Sequence, residues 1–451
     1  MLVINVYKSH LQNLIQMEAE TSESLTEQQC LETKLTRMLQ NVEPPEKYGL
    51  NMQCIYKVPE KIRETNPKAY APRIVSIGPY HKATEDEKKS SIFDSMEELK
   101  VNYLKAFLNR SRVSVGAFVR VLQELEDDIR NHYAVCIKYN SDDFLKMILI
   151  DAGFIIEHFL RWHKYQDWKG HDPVLLKPWM LTQISNDLIL LENQLPFFVL
   201  EELYELAGMN QEFPSFLQLS FNYWKDEEYV TSCPTEAPPK HFTDLMRSCI
   251  ILSSKIDHRA QECKEIKHVY SASQLQEAGL TFKVSPNENE GLLDLTYSGE
   301  GVLTMPILNI DDNTEVFFRN IVALEHCHFP WNQAIITQYL KILDFLINND
   351  KDVNVLVDNK IIVNWMGDTN ATATVVNSLS TNLLMPYFNS HYYSLCKSLN
   401  DFYENPRNKY KAIFMHEYFN TPWKIASTVA AIVLLLLTLT QTICSILALF
   451  Q

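Results

Sequence analysis

The stretch "IASTVAAIVLLLLTLTQTICSILALF", residues 425–450, contains no charged side chain. A bilayer core needs roughly 20 consecutive apolar residues in a helix, and this run exceeds that. Gln441 and the interspersed Thr and Ser residues are tolerable, because hydroxyls can bond back to the helix backbone. Pro422 opens the segment, and Trp423 and Lys424 sit where interfacial anchors sit. The alternative is a central helix buried in a globular core. The expected organisation is one C-terminal transmembrane helix, residues 423–451. Arg407, Lys409, Lys411 and Lys424 all precede the span and only Gln451 follows it. The positive-inside rule then predicts a single-pass membrane protein whose body faces the cytosol, with the choice of plasma membrane or endomembrane open.

The remainder must fold by itself. With 451 residues and 46% hydrophobic composition, the chain can build a large core. Length suggests about three domains, yet no Gly/Ser-rich linker cuts the middle. Residues 46–422 therefore read as a single large, mainly helical body, preceded by an acidic arm, 1–45, with weak helical character over 28–40. Only 11 residues are glycine, against roughly 7% in ordinary proteins. That scarcity favours long helices and disfavours Gly-rich phosphate loops. The net charge of −15 argues against nucleic acid as a partner, which needs clustered Lys and Arg. Nine scattered cysteines, without paired spacing, suit a reducing compartment. The opening "MLVINVYKSH" lacks the basic region of a signal peptide.

Along the body, residues 91–130 repeat apolar positions at helical steps, and "DDFLKMILIDAGFIIEHFLRW" is apolar nearly all round, as a buried helix is. A polar insert follows over 165–177. Ser271 and Gln274 predict a capping box, with Gly279 closing the short helix. "LTFKVSP" and "LLDLTYSGEGVLTMPILNI" predict short strands and a hairpin at "SGEG". Asp312 and Glu315 predict another cap-and-box pair ahead of the helix "TEVFFRNIVALEH". "NQAIITQYLKILDFLINN" predicts an amphipathic helix, and "DVNVLVDNKIIVNW" a helix, an Asn-stopped turn and a second helix. The fold class is thus mainly α with a small β-hairpin element (α+β).

Three blocks carry a resemblance: "CIYKVPEKIRETNPKAYAPRIVSIGPYH" (54–81), "DLILLENQLPFFVLEELY" (187–204) and "MPILNIDDNTEVFFRNIVALEHC" (305–327). With "YFNTPWKIAS" leading into the apolar tail, the chain resembles the plant domain-of-unknown-function 247 family from about residue 52 onward. The resemblance implies plant origin, a helical cytosolic body and a C-terminal anchor, and no established catalysis. Some members are linked to grass self-incompatibility, a role that no motif here carries over. The motif positions are Pro59, Tyr70, Pro72, Gly78, Pro79, His81, Asp151, Asp187, Glu192, Asn193, Gln194, Pro196, Pro306, Asp312, Glu315, Arg319, Asn320, Glu325, Pro422 and Trp423. The family commonly has Gly where Lys360 stands, so Asn359 is expected to take the left-handed position.

Three polar residues and a proline inside "DLILLENQLPFF" read either as a catalytic cluster or as a corner between two buried helices. In the corner reading Asn193 is the N-cap that puts Pro196 in the first turn, and Glu192 and Gln194 tie off backbone groups or a basic side chain. Asp151, inside an apolar run, needs a partner if buried; Arg63 and Arg73 are the candidates. His81 beside the Gly78-Pro79 turn is a structural or a titrating group. His326 and His328 flank Cys327 but point apart on a helix. His258, Cys263 and His268 are spaced so that they fan around a helix. No metal site, cofactor motif or catalytic signature is expected. The reading is a membrane-anchored interaction or recognition protein with an unknown protein partner. The alternatives are an enzyme in which Asp151, His81 and Glu192 converge, and a soluble scaffold.

Overall fold

The computed structural model describes residues 31–39, 52–81, 91–225, 229–234, 237–256, 263–286, 291–383, 387–419 and 422–449. The chain divides into two units, 1–53 and 54–451. Of the first, an exposed helix over 31–39 and the two residues 52–53 are described. The helix falls in the stretch expected to be weakly helical; the rest of the acidic arm lies outside the described residues.

The described residues are mostly helical with few strands, which bears out a mainly α fold. The second unit is organised around the helix Ser141–His163, whose run from Asp151 to Arg161 is buried. An all-round apolar helix needs neighbours on every side. It packs against Ser91–Ser111 and Val115–Asn131, and also against Phe197–Leu206 and Phe216–Trp224. Gly153 permits the closest approach, since a Cβ there would lie 2.5 Å from Leu104 Cδ1. Around Phe159, the rings of Tyr223 and Trp224 lie at centroid distances of 4.5 and 5.4 Å, the first stacked and the second edge-on. Such rings bury much area and add about 0.5–1.5 kcal/mol per pair. Within the polar insert over 165–177, Asp172, Val174 and Leu175 are buried.

The following half carries the helices Phe242–Leu252, Thr314–His328, Ile335–Leu346, Asp350–Asp358 and Thr369–Leu379. The capping box of Ser271 and Gln274 is present on the helix Ala272–Glu277. Thr281–Val284 pairs in parallel with Val302–Met305, and the latter forms the expected hairpin with Thr296–Tyr297. Cys263–Glu265 pairs with Tyr387–Asn389.

Three local expectations need correction. Asp312 does not cap the helix Thr314–His328. Asp311 does so instead, its Oδ1 accepting from Asn313 N, Thr314 N and Thr314 Oγ1 at 2.8–3.0 Å, while Glu315 pairs with Arg319 four residues on. The stretch after Asn359 is a strand rather than a helix: Ile362–Asn364 pairs in parallel with Leu308–Ile310. Its β-branched run finds a sheet partner, which outweighs a bare helical reading. Lys360, not Asn359, takes the left-handed position, at φ 61° against −86°. Lys360 is exposed, and a side chain in that region costs about 1 kcal/mol. Lys360→Gly is therefore expected to stabilise the body by up to about 1 kcal/mol, read as a raised Tm. An unchanged or lowered Tm would count against strain at this turn.

The chain continues through the helices Ser390–Glu404, Pro406–Phe419 and Pro422–Leu449. Residues Pro422–Ser445 form a helix long and apolar enough to cross a membrane, and none of its hydrophobic window is buried. It is therefore not a core helix. Ser427, Thr438 and Thr442 donate back to the carbonyls of Trp423, Leu434 and Thr438 at 2.7–2.8 Å, which removes their polarity from the surface.

Candidate functional site

The helix Pro178–Leu188 ends, the chain turns, and the helix Phe197–Leu206 begins directly after Pro196. The corner is real, but Asn193 does not cap the second helix; Pro196 holds the N-cap place without a side-chain bond. Fully buried Asn193 instead reaches the first block. Its Oδ1 accepts from Ile77 N at 2.7 Å, and its Nδ2 donates to Val75 O and Asp187 O at 3.0 and 2.8 Å. Gln194 closes the first helix by donating to Leu188 O and Leu190 O, and accepts from Phe242 N. Helix ends leave orphan groups, and these amides satisfy them within the core.

Carboxylates perform the same work. Asp187 accepts from the backbone N–H groups of Arg73, Ile74 and Val75 at 2.8–3.1 Å and from Gln183. Burial pushes its pKa up against the pull of those donors. Glu192 accepts from Val58 N at 2.6 Å, pairs with Arg63 and lies 3.2 Å from His81 Nε2. Burial raises the Glu192 pKa, but His81, Val58 N–H and Arg63 more than offset it and hold the carboxyl below its ordinary range. Arg63 also covers the ring of buried Tyr70. Pro59 opens the turn that carries Arg63.

Asp151 does not pair with Arg63 or Arg73. Its partner is Lys100, whose fully buried Nζ lies 2.6 Å from Oδ1, while Gly78 N donates to Oδ2 at 2.9 Å. Lys100 Nζ also donates to Ser76 O at 2.7 Å and pairs with Glu97. Burial lowers the Lys100 pKa, yet Asp151 and Glu97 together raise it above the ordinary lysine value. Gly78 has φ 70°, and a Cβ there would lie 2.5 Å from Gln194 O. Only glycine combines that conformation with that approach. His81 and Glu192 thus meet, while Asp151 is taken up elsewhere.

The third block joins the same scaffold. Asn320 donates to Ala69 O and accepts from Leu191 N, linking all three blocks through one amide. Glu325 accepts from Thr337 N and Oγ1 and pairs with Arg247 at 2.9 Å. Arg319 reaches Glu315 and Ser378 O. Pro306 and Pro72 stand in the connections leading to Leu308–Ile310 and to the Arg73 turn. His328 meets Tyr56 and Lys240, whereas His326 packs on Trp331. His258 lies outside the described residues. Among the described residues no three His, Cys, Asp or Glu side chains gather at one point.

Two buried histidines escaped sequence reasoning because nothing local marks them. His241 caps Phe242–Leu252: its Nδ1 accepts from Asp244 N at 3.3 Å, which puts the ring proton on Nε2, facing Cys54 O at 3.0 Å. His158 Nε2 lies 3.0 Å from Tyr223 Oη. Burial lowers both pKa values to about 4.

A surface cavity of about 420 Å³ also went unforeseen. Buried Trp224 and Met246 line it, together with Asn309, Asp311 and Asn313, and with Trp365, which is 72% exposed. Its members come from sequence positions between 182 and 365, so no motif could announce it.

Comparison with known proteins places these observations. A UPF0481 protein of Arabidopsis thaliana is 28% identical over 436 residues, covering 89% of this chain and 88% of the relative. A second Arabidopsis UPF0481 protein is 22% identical over 492 residues, covering 85% and 88%. No solved structure matches the chain. The family model described as "Plant protein of unknown function" matches residues 55–437, which takes in all three blocks and most of the apolar helix. The chain therefore belongs to the domain-of-unknown-function 247 family of plant proteins.

Proposed function

We propose that the protein is a membrane-anchored interaction protein whose body faces the cytosol. The observation that carries this reading is the contrast between a packed body and the exposed apolar helix Pro422–Ser445. The preceding helix, Pro406–Phe419, adds support: Tyr410, Ile413, Phe414 and Tyr418 are exposed at helical spacing, as in segments that rest at a membrane surface. The basic residues ahead of the span and the scattered free cysteines support the orientation. A non-catalytic role accords with Asp151 being held by Lys100 rather than joining His81 and Glu192. Recognition of the kind linked to grass self-incompatibility is one form such a function takes.

Two measurements test the reading. Deleting residues 423–451 is expected to release a folded body from carbonate-washed membranes, and a body that unfolds on deletion would sink the separable anchor. Asn109 and Asn370 begin glycosylation sequons and are exposed, so a lumenal body would carry glycans there. No mobility shift is expected on enzymatic deglycosylation of the native protein. A shift abolished by Asn109→Gln or Asn370→Gln would put the body on the other side.

A further inference from the structure

We propose that the cavity between Trp224 and Trp365 binds a neutral, hydroxyl-bearing ring of pyranose size. This inference does not depend on the membrane reading. The volume of about 420 Å³ falls within the roughly 300–1,000 Å³ of small-ligand sites. The floor is apolar and settled: the Trp224 indole N–H is spent on Ser185 Oγ at 2.8 Å. The rim is a ring held out in solvent. Trp365 N donates to Ile310 O at 2.9 Å, and its indole N–H points to Asn309 Oδ1 at 3.4 Å. Such a platform offers its face to the C–H surface of a saturated ring.

The polar groups are set for hydroxyls. Asn309 Oδ1 faces Trp365, and Asn313 Oδ1 accepts from Asn186 Nδ2 at 3.0 Å, so both amides present their N–H groups as donors. Asp311 gives its Oδ1 to three donors of the helix start. Its Oδ2 carries no bond among the described residues and serves as an acceptor. A hydroxyl both donates and accepts, and so suits this mixed set. Asp311 is the one charged side chain among the described lining residues. Phosphate, sulfate and carboxylate ligands would meet a negative charge without a cation, and an organic cation would face two amide donors.

The test uses the full chain in a detergent without a sugar headgroup. Ligand-observed saturation-transfer NMR and titration compare methyl pyranosides of glucose, galactose and mannose with choline and inorganic phosphate. At least one pyranoside is expected to half-saturate at about 1 mM or below. Trp365→Ala is expected to weaken it by about tenfold or more with an unchanged Tm. Trp365→Leu, which keeps apolar bulk but removes the flat face, is read the same way if the alanine variant unfolds. Asp311→Asn retains an acceptor and should weaken binding less. Failure of every pyranoside overturns the proposal. So does binding indifferent to both Trp365 variants, choline binding abolished by Asp311→Asn, or phosphate binding alone.

Discussion

Replacing Lys100 with Met is expected to lower the unfolding free energy by about 3–5 kcal/mol, the usual result of stranding a buried charge. Lys100 and Asp151 are both essentially inaccessible, and their contact is 2.6 Å. Removal of the ammonium leaves Asp151 with Gly78 N as its remaining donor among the described residues, and Ser76 O without its bond to Lys100. The pair itself need not be strongly stabilising, because desolvation offsets most of the attraction. The double replacement Lys100→Met with Asp151→Leu should therefore recover part of the loss. Thermal unfolding of the two variants in detergent checks both statements. A single variant as stable as the parent would mean that water reaches the pair.

Acid should weaken the body through two buried histidines. His158 and His241 have pKa values of about 4 in the folded chain, against about 6.5 unfolded. Below pH 6.5 the unfolded chain binds more protons, so stability falls with pH until the folded groups titrate near 4. At 1.36 kcal/mol per unit, each histidine accounts for about 3 kcal/mol over that window. His158 stacks on Phe154 with an interplanar angle of 7°, so His158→Phe preserves the ring contact. That variant should lose about 3 kcal/mol of the stability change between pH 6.5 and 4. A parental slope in the variant would remove His158 from the account.

The helices were legible because their signal is local. The all-round apolar run of Ser141–His163, the Ser271–Gln274 box and the "SGEG" hairpin each depend on neighbours within a few residues. The corner at Pro196 was legible as a corner, since a proline flanked by polar groups in an apolar segment has few other uses. Its wiring was not. Asn193 was expected to bond within its own turn, yet it bonds to Val75 and Ile77, more than a hundred residues away in sequence. The partner of Asp151 failed for the same reason: Lys100 sits in an amphipathic helix where a lysine ordinarily faces water. The strand Ile362–Asn364 was missed because its parallel partner lies across three intervening α-helices, and the cavity because it belongs to no single segment.

The single amide of Asn320 bears on synthesis as much as on architecture. It bonds to Ala69, 251 residues earlier, and to Leu191. The segment over 54–81 can meet Lys100, His132 and Asp151 early, but its seat stays open until Asp187, Glu192 and Asn193 have left the ribosome, and is complete only when Asn320 follows. Long-range closure of this kind is slow and exposes apolar surface while it waits. Nascent chains that stop short of residue 320 should therefore present the first block unsealed and be held by chaperones. A frameshift ahead of codon 320 would remove this closing residue along with the apolar helix, leaving a body that cannot finish folding.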